Sequence, residues 1–401
     1  MNYMKIVNRT IWSLSLCIVV LVSSSCKGQS EDFRLERAST DLITRIELSP
    51  NGPVLLRDGK AQLSFYVRGY YSKDGDKTNE RVFQADRIPL NEIKIEASDG
   101  QTFKADELFS TTSKDDEITF KATFGEIEAN PVTVTLKDVP TEALPKIRVP
   151  VVIKALYAPM EAHYTTALNE KVIEQVLERT NKVFSNQFFK APSSRDSGME
   201  FYLHDFQKVD LSESESLDMK AYIKKNQMVD VDKYLTVWIT ARSKGLAPSK
   251  VAPAYTLGNP DDIPGLNLWK IDSADELDGN IDPINAGIVI SYRDFYQSIS
   301  GPEGGRFEQQ VGRFYGLLST STDSAGEEED VDYCPDTYTY LKGEIKRLKS
   351  TPHKKNQRPF LYYSYNIMDD YSSCFTISVD QVERMRKVIK DCPYRQQGLN
   401  N

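Results

Sequence analysis

The sequence predicts two domains, an N-terminal antiparallel β-sandwich of immunoglobulin-like type and a C-terminal α/β domain. Three observations carry this expectation. From residue 41 to 139 the apolar residues fall in short alternating or β-branched runs, separated by turn-rich segments. Prolines at 140, 145 and 150 then mark a linker over 140–150. From residue 151 onward, strand-like and helix-like periods alternate, as they do in α/β domains.

The N-terminal elements are read in order. Leu42–Leu48, Ala61–Val67, Ile93–Ala97, Glu117–Phe124 and Pro131–Leu136 are the expected strands. Between them lie Pro50-Asn51-Gly52-Pro53, Asp58-Gly59, Asp74-Gly75 and Asp99-Gly100, whose residue types favour tight turns. Several short strands at this spacing, with no convincing helix, point to a sandwich. This half shows no paired acids, no His cluster and no glycine-rich phosphate loop.

Beyond the linker, Arg148–Leu156 reads as a strand and Asn169–Phe184 as an amphipathic helix, with Val172, Ile173, Val176, Leu177 and Val183 at helical spacing. Met199–Leu203, Tyr234–Thr240 and Ala286–Ser291 are further strands. Phe307–Leu317 is a helix ending near Gly316, and Val379–Lys390 is the last one. The expected α/β domain covers 151–393, with a tail at 394–401.

The N-terminus carries a targeting signal. Lys5 and Arg9 precede an apolar stretch, Ile11–Val22, followed by Ser23-Ser24-Ser25-Cys26. That stretch is well short of the roughly 20 residues a helix needs to cross a bilayer, and it fits a secretory signal peptide over 1–25. Small residues before Cys26 resemble a bacterial lipobox, although Ser23 stands where Leu is usual; ordinary cleavage with a free Cys26 is the alternative. Gln29-Ser30-Glu31-Asp32, in a tether over 26–40, resembles the acidic tether of surface lipoproteins in the Bacteroides group. The expectation is a chain held to the bacterial outer membrane by an N-terminal lipid, facing the periplasm or the outside.

Composition bounds the remaining choices. The chain has 401 residues, 40% hydrophobic and 27% charged, as folded globular proteins do. A formal net charge of -8 argues against non-specific nucleic-acid binding, which needs clustered cations. The local basic run Lys342, Lys346, Arg347, Lys349, Lys354, Lys355, Arg358 is expected to be a solvated loop, with a partner-binding patch as the alternative. Of the five cysteines, Cys17 leaves with the signal and Cys26 takes lipid, leaving Cys334, Cys374 and Cys392. In an oxidising compartment a disulfide is favoured, and three thiols leave one over.

One segment bears on chemistry: Gln309-Gln310-Val311-Gly312-Arg313-Phe314-Tyr315-Gly316-Leu317-Leu318-Ser319. Its skeleton resembles the metzincin zinc motif His-Glu-x-x-His-x-x-Gly-x-x-His, in which two His four apart share a helical face. Gly312, Phe314, Tyr315, Gly316 and Leu317 are similar to the pappalysin version. Downstream, Asn366-Ile367-Met368-Asp369-Asp370-Tyr371 resembles the pappalysin methionine turn, with one extra acid. Cys374-Phe375-Thr376, Gln381 and Arg384-Met385-Arg386 follow that family's tail, and Asp332-Tyr333-Cys334-Pro335-Asp336-Thr337 resembles its acidic stretch. The resemblance spans roughly 143–393.

The resemblance implies a metzincin-like fold, a Cys334–Cys374 bridge and, in the acidic loop, a structural calcium ion held by Asp330, Asp332, Asp336 and Thr337. The alternative for those acids is a solvated face. The bridge would close a loop of about 40 residues, worth roughly 3–4 kcal/mol by loop entropy.

The functional positions depart from the family. Gln309 stands at the first ligand position, Gln310 at the general base, Arg313 at the second ligand and Ser319 at the third. Zinc is held by Cys, His, Asp and Glu; Arg offers only donors and stays charged, and a carboxamide takes up no proton near neutrality. The three histidines, His163, His204 and His353, lie outside the motif. No zinc is therefore expected. Arg313 is expected to fill the cation site and pair with Asp369, Asp370 or Glu308, or else to face solvent. The function expected is partner binding without catalysis, the partner being a peptide, a protein or a glycan. A zinc metallopeptidase with a relocated site and an accessory lipoprotein of an outer-membrane assembly are the alternatives.

Overall fold

The computed structural model describes residues 39–72, 80–141, 143–157, 167–188, 191–226, 231–240, 252–277, 287–300, 306–323, 331–342, 348–351, 359–369 and 375–399. Cys26, the signal peptide and nearly all of the tether lie outside the described residues, as do His163 and His353. The chain is mixed α/β with several sheets. Its compact units do not divide at the prolines. A small unit takes in Arg45 and Arg68–Ile88, and a large one takes in Ile46–Val67 together with the chain from Pro89 onward.

In the small unit, Tyr70 and Tyr71 pair antiparallel with Val82 and Arg81. The Arg45 guanidinium lies 3.6 Å over the Tyr70 ring and meets Glu80 at 2.9 Å, combining a cation–π contact with an ion pair.

The large unit begins with a sheet of β1 (Val54–Leu56), β2 (Lys94–Ala97), β3 (Thr102–Lys104), β4 (Glu117–Phe124) and β5 (Val132–Lys137), in the order β1-β5-β4-β2-β3. Along β4 the pleat buries Ile118, Phe120 and Ala122 while Glu117 and Lys121 face water. Phe120 meets Phe65 and Phe109 edge-on, each at 4.9 Å. Most pairs are antiparallel, but β1 runs parallel to β5. The turn at Pro50–Pro53 sends the chain along β5 in the same direction. The sheet is therefore mixed, where a wholly antiparallel one was expected.

The α/β region follows, with β6 (Ile147–Tyr157), α1 (Glu170–Phe184), β7 (Met199–Asp210), β8 (Leu235–Thr240), β9 (Gly287–Ser291), α2 (Tyr292–Ser300), α3 (Arg306–Phe314) and α4 (Val379–Asp391). The strands form a parallel sheet in the order β7-β6-β8-β9. β6, β8 and β9 are apolar nearly throughout because helices and loops cover both faces, as parallel sheets require. Val149, Val151 and Ile153 pack with Ile173, Val176 and Phe184 of α1, whereas Leu156, Trp238 and Val289 meet Leu211 and Ile223. Asn169 caps α1 by accepting from Val172 N at 3.1 Å.

β6 starts at Ile147, inside the expected linker, and Pro150 is one of its residues. Pro150 aligns with Tyr202 of β7, and the pairing to β8 begins only at Val151. The missing N–H therefore costs no bond on that side. β7 is also longer than its apolar stretch suggests. Parallel pairing with β6 carries it to Asp210, through a register shift at Val151/Val152.

Contacts from the N-terminal sheet reach the α/β region within the same unit. Leu56 N donates to Pro192 O at 2.9 Å, Lys137 pairs with Asp380, and the Tyr66 and Tyr363 rings meet at 5.5 Å. Residues expected to form a loose tail are also buried. Arg395 donates to Phe314 O at 2.6 Å, and the Arg395 guanidinium sits 3.9 Å over the Phe314 ring. Gly398, at φ +83°, presses so closely on Arg148 O that a side chain would collide with it.

Candidate functional site

Helix α3 carries the motif segment. Phe307, Val311 and Phe314, spaced at four and three, seat it on the core. It ends in a Schellman arrangement: Leu317 N donates to Gly312 O and Gly316 N to Arg313 O, both at 2.9 Å, with Gly316 at φ +85°. A Cβ on Gly316 would come within 2.6 Å of a Val388 methyl, so glycine is required by space as well as by backbone. Arg384 donates to Gly316 O at 2.7 Å and Arg395 to Phe314 O, satisfying carbonyls that the helix end leaves open.

The turn Asn366–Asp369 lies directly against this helix. Met368 is fully buried, and a Cβ on Gly312 would stand 2.9 Å from its sulfur. Gln309 Nε2 donates to Asp369 O at 2.7 Å, and Thr320 Oγ1 donates to Asp369 Oδ1 at 2.7 Å. Ser319 Oγ lies 3.5 Å from Met368 O and 2.9 Å from Ser321 Oγ. The turn is braced from below by a reciprocal amide pair. Asn366 Nδ2 donates to Gln381 Oε1 at 2.9 Å and Gln381 Nε2 to Asn366 Oδ1 at 3.0 Å, while Gln381 also completes the capping box of α4 with Ser378. Gln309 and Ser319 are thus gathered at the Met368 turn, 49 to 60 residues further along the chain. Gln310 is buried, and its Oε1 has no hydrogen-bond partner among the described residues. Tyr371, Asp370 and Cys374 lie outside the described residues.

The charges differ from expectation. Glu308, beside the motif, is fully buried and meets Arg179 of α1 at 3.2 Å, with Ser298 Oγ donating at 3.0 Å. Burial pushes the Glu308 carboxyl up and Arg179 opposes this. The Arg179 guanidinium lies 5.2 and 5.3 Å from the Phe188 and Phe375 rings, which also meet each other at 5.5 Å. Asp369, also fully buried, is pushed up by burial and held down chiefly by the charge of Lys349. Lys349 is itself wholly buried, 4.4 Å from the Tyr340 ring. Of the three acids expected to face Arg313, Glu308 is paired with Arg179, Asp369 answers to Lys349 and Asp370 is not described. Arg313 is half-buried.

The basic run was expected to be a solvated loop. Lys349 corrects this, because it belongs to the strand Leu348–Ser350, where a carboxylate and an aromatic face compensate its desolvation. No pattern in the run separates Lys349 from its other cations.

The acidic segment is tied inward. Asp332 accepts from Cys334 N at 3.2 Å and from Thr337 Oγ1 at 2.6 Å. Asp336 accepts from Ser378 Oγ at 2.6 Å and from Asp380 N at 3.0 Å, at the N-terminus of α4. Burial and the nearby Asp380 push Asp336 up to about 7. The two carboxylates expected to bind calcium thus spend their oxygens on the protein, and Asp330 is not described. Cys334 is a free, buried thiol with its sulfur 3.5 Å from Asp332 O, and Cys374, its expected bridge partner, lies outside the described residues. Burial and the two aspartates hold that thiol protonated. Cys392 is likewise free and buried. His204 sits on β7, stacked 4.5 Å from the Tyr234 ring.

The donor set at the motif positions does not fit zinc. Two carboxamides, one engaged with Asp369 O, a guanidinium and a hydroxyl hydrogen-bonded to its neighbour supply no anionic or imidazole ligand. Among the described residues no three His, Cys, Asp or Glu side chains are grouped so as to hold a metal ion.

No protein-family profile matches the chain. No curated protein matches it either. Among solved structures, a promirolysin of Tannerella forsythia is similar at 18% identity, over 65% of this chain and 86% of that one, with a TM-score of 0.41.

Proposed function

We propose that this chain is an exported, lipid-anchored protein whose α/β region is a metzincin-like domain without hydrolytic chemistry, and that it acts by binding a partner. The observation that supports this reading is the seating of Gln309 and Ser319 against the Met368 turn. The segments that resemble a pappalysin site meet each other, but the groups at the meeting place are a carboxamide and a hydroxyl bonded to the protein itself. Gln310, at the position of the general base, cannot accept a proton near neutral pH. The framework of the site is kept while its chemistry is absent. Such a framework still presents shaped surfaces to a peptide, protein or glycan. Lipid on Cys26 would hold it at the outer membrane.

The test is metal content and peptidase activity of the purified mature protein. We expect no stoichiometric zinc and no cleavage of gelatin or casein after zinc is supplied; one bound zinc per chain, or zinc-dependent cleavage, would overturn the reading. The fourfold replacement Gln309→His, Gln310→Glu, Arg313→His and Ser319→His should bind zinc if the metzincin-like framework is present. Loss of palmitate labelling in Cys26→Ala tests the anchor.

A further inference from the structure

Shortly before the Met368 turn, the strand Leu361–Tyr363 pairs antiparallel with Leu348–Ser350. Next to this pair, Thr351 N donates to Phe360 O at 3.1 Å. Opposed residues of an antiparallel pair exchange hydrogen bonds only at every second position. Lys349 and Tyr362 therefore form the next bonded pair. Leu361 and Tyr363, opposite Ser350 and Leu348, turn their N–H and C=O groups to the outer edge. Among the described residues no strand pairs with that edge. Tyr363 is exposed and Leu361 half-buried. Two donors and two acceptors thus stand in a row without a strand partner, the template that an added strand uses.

The edge borders a cleft whose other walls are residues 51–53, 191–194, 336–338 and 376–378. The cleft encloses about 50 Å³, room for a few water molecules or one small side chain. Most hydroxyls around it have spent their protons on the protein. Ser193 and Ser378 donate to Asp336, Ser194 to Ala191 O, Thr376 to Tyr365 O, Thr320 to Asp369 and Tyr362 to Tyr338 O. Main-chain groups, not side chains, are what this wall has left to offer.

A row of unpaired N–H and C=O groups is matched by another extended main chain. Charge narrows which chain that is. No Lys, Arg, His or Glu lines the cleft, and Asp336 is its one carboxylate. An acidic segment would meet no cation there. A second copy of this chain brings a formal net charge of -8 to a surface of the same sign. The strand is also held in advance, by its ladder, by Tyr362 Oη on Tyr338 O at 3.2 Å and by the Tyr66 ring against Tyr363 at 5.5 Å. Such preorganisation lowers the ordering cost of docking.

From this we infer that the outer edge of Leu361–Tyr363 docks an extended, non-acidic peptide segment of another protein. The segment adds a third strand and seats one small side chain, such as Ala or Ser, in the enclosed recess. The inference rests on the reading of the chain as a binding protein, and it names the partner class.

The experiment screens the purified mature protein against phage-displayed random dodecapeptides, and the recovered sequences are synthesised and measured by calorimetry. The expected peptides carry Ala or Ser at one fixed position and no Asp or Glu beside it. N-methylation removes one peptide N–H at a time. It should weaken binding about tenfold or more where that N–H faces the edge, and by less than about threefold at the residues between. Tyr363→Pro deletes an outward N–H that serves no ladder bond, and should also weaken binding about tenfold with the melting temperature held. Should that variant fail to fold, the N-methylated series decides, because it leaves the protein unchanged. Recovery of no peptide, of acidic peptides alone, or of peptides indifferent to N-methylation or to a folded Tyr363→Pro overturns the inference. Self-association of the chain that Tyr363→Pro abolishes also overturns it, since the occupant would then be a second copy. Peptides bound elsewhere would remove this site and leave the binding reading standing, which zinc content tests separately.

Discussion

The carboxamide nitrogen of Gln309 lies 2.7 Å from the backbone carbonyl of Asp369, joining the motif helix to the methionine turn. Gln309 is thereby part of the framework that holds the turn in place.

Gln309→Met should therefore destabilise the fold by about 1–3 kcal/mol, because Asp369 O is left buried without its donor. Gln309→Glu should cost more, since a carboxylate oxygen would face a carbonyl oxygen. Urea denaturation reads both; unchanged midpoints would remove Gln309 from this role.

The two glycines of the motif should respond differently. Gly316→Ala places a methyl group 2.6 Å from a Val388 methyl at φ +85°, and should cost about 1–3 kcal/mol through strain and overpacking. Gly312→Ala meets the Met368 sulfur at 2.9 Å, and a thioether adapts, so its cost should be smaller. Thermal melts of the two variants check the order.

Lys349→Met should be severe, about 3–5 kcal/mol, because it leaves Asp369 buried without its cation. Adding Asp369→Asn should recover most of that loss. A double-mutant cycle measures the coupling, and additive effects would show that the two residues do not answer to each other.

Asp336 sets a pH dependence. Its folded pKa of about 7 lies above the ordinary 3.8, so the folded state holds that proton more tightly than the unfolded chain does. The resulting stability is whole below the unfolded value and is lost as pH rises through about 7. Asp336→Asn should flatten the stability profile between about pH 4 and 7, measured by urea midpoints across that range.

Much of the framework was legible in the sequence because its signals are local. The helical spacing of Ile173, Val176 and Leu177, the cap at Asn169 and the turn at Gly316 follow from residue type and period, and α1, α3 and α4 fall within a few residues of their expected bounds. What escaped depends on partners far along the chain. The burial of Lys349 is decided by Asp369 and Tyr340, and the parallel entry of Val54–Leu56 by β5. Hydrophobic period carries no record of such pairings. At the site, the sequence located the helix and the turn, yet it did not single out Lys349 or Arg179, because registry with a ligand position says nothing about which side chain is desolvated.

The closure of Arg395 and Gly398 onto Phe314 and Arg148 bears on the order of folding. The strand that opens the α/β region receives its last neighbour some 250 residues after it is synthesised. Until that segment has left the ribosome, the end of the motif helix lacks one of its caps and the start of β6 lacks its cover. The α/β region is therefore complete only once the last residues of this segment can fold back onto it.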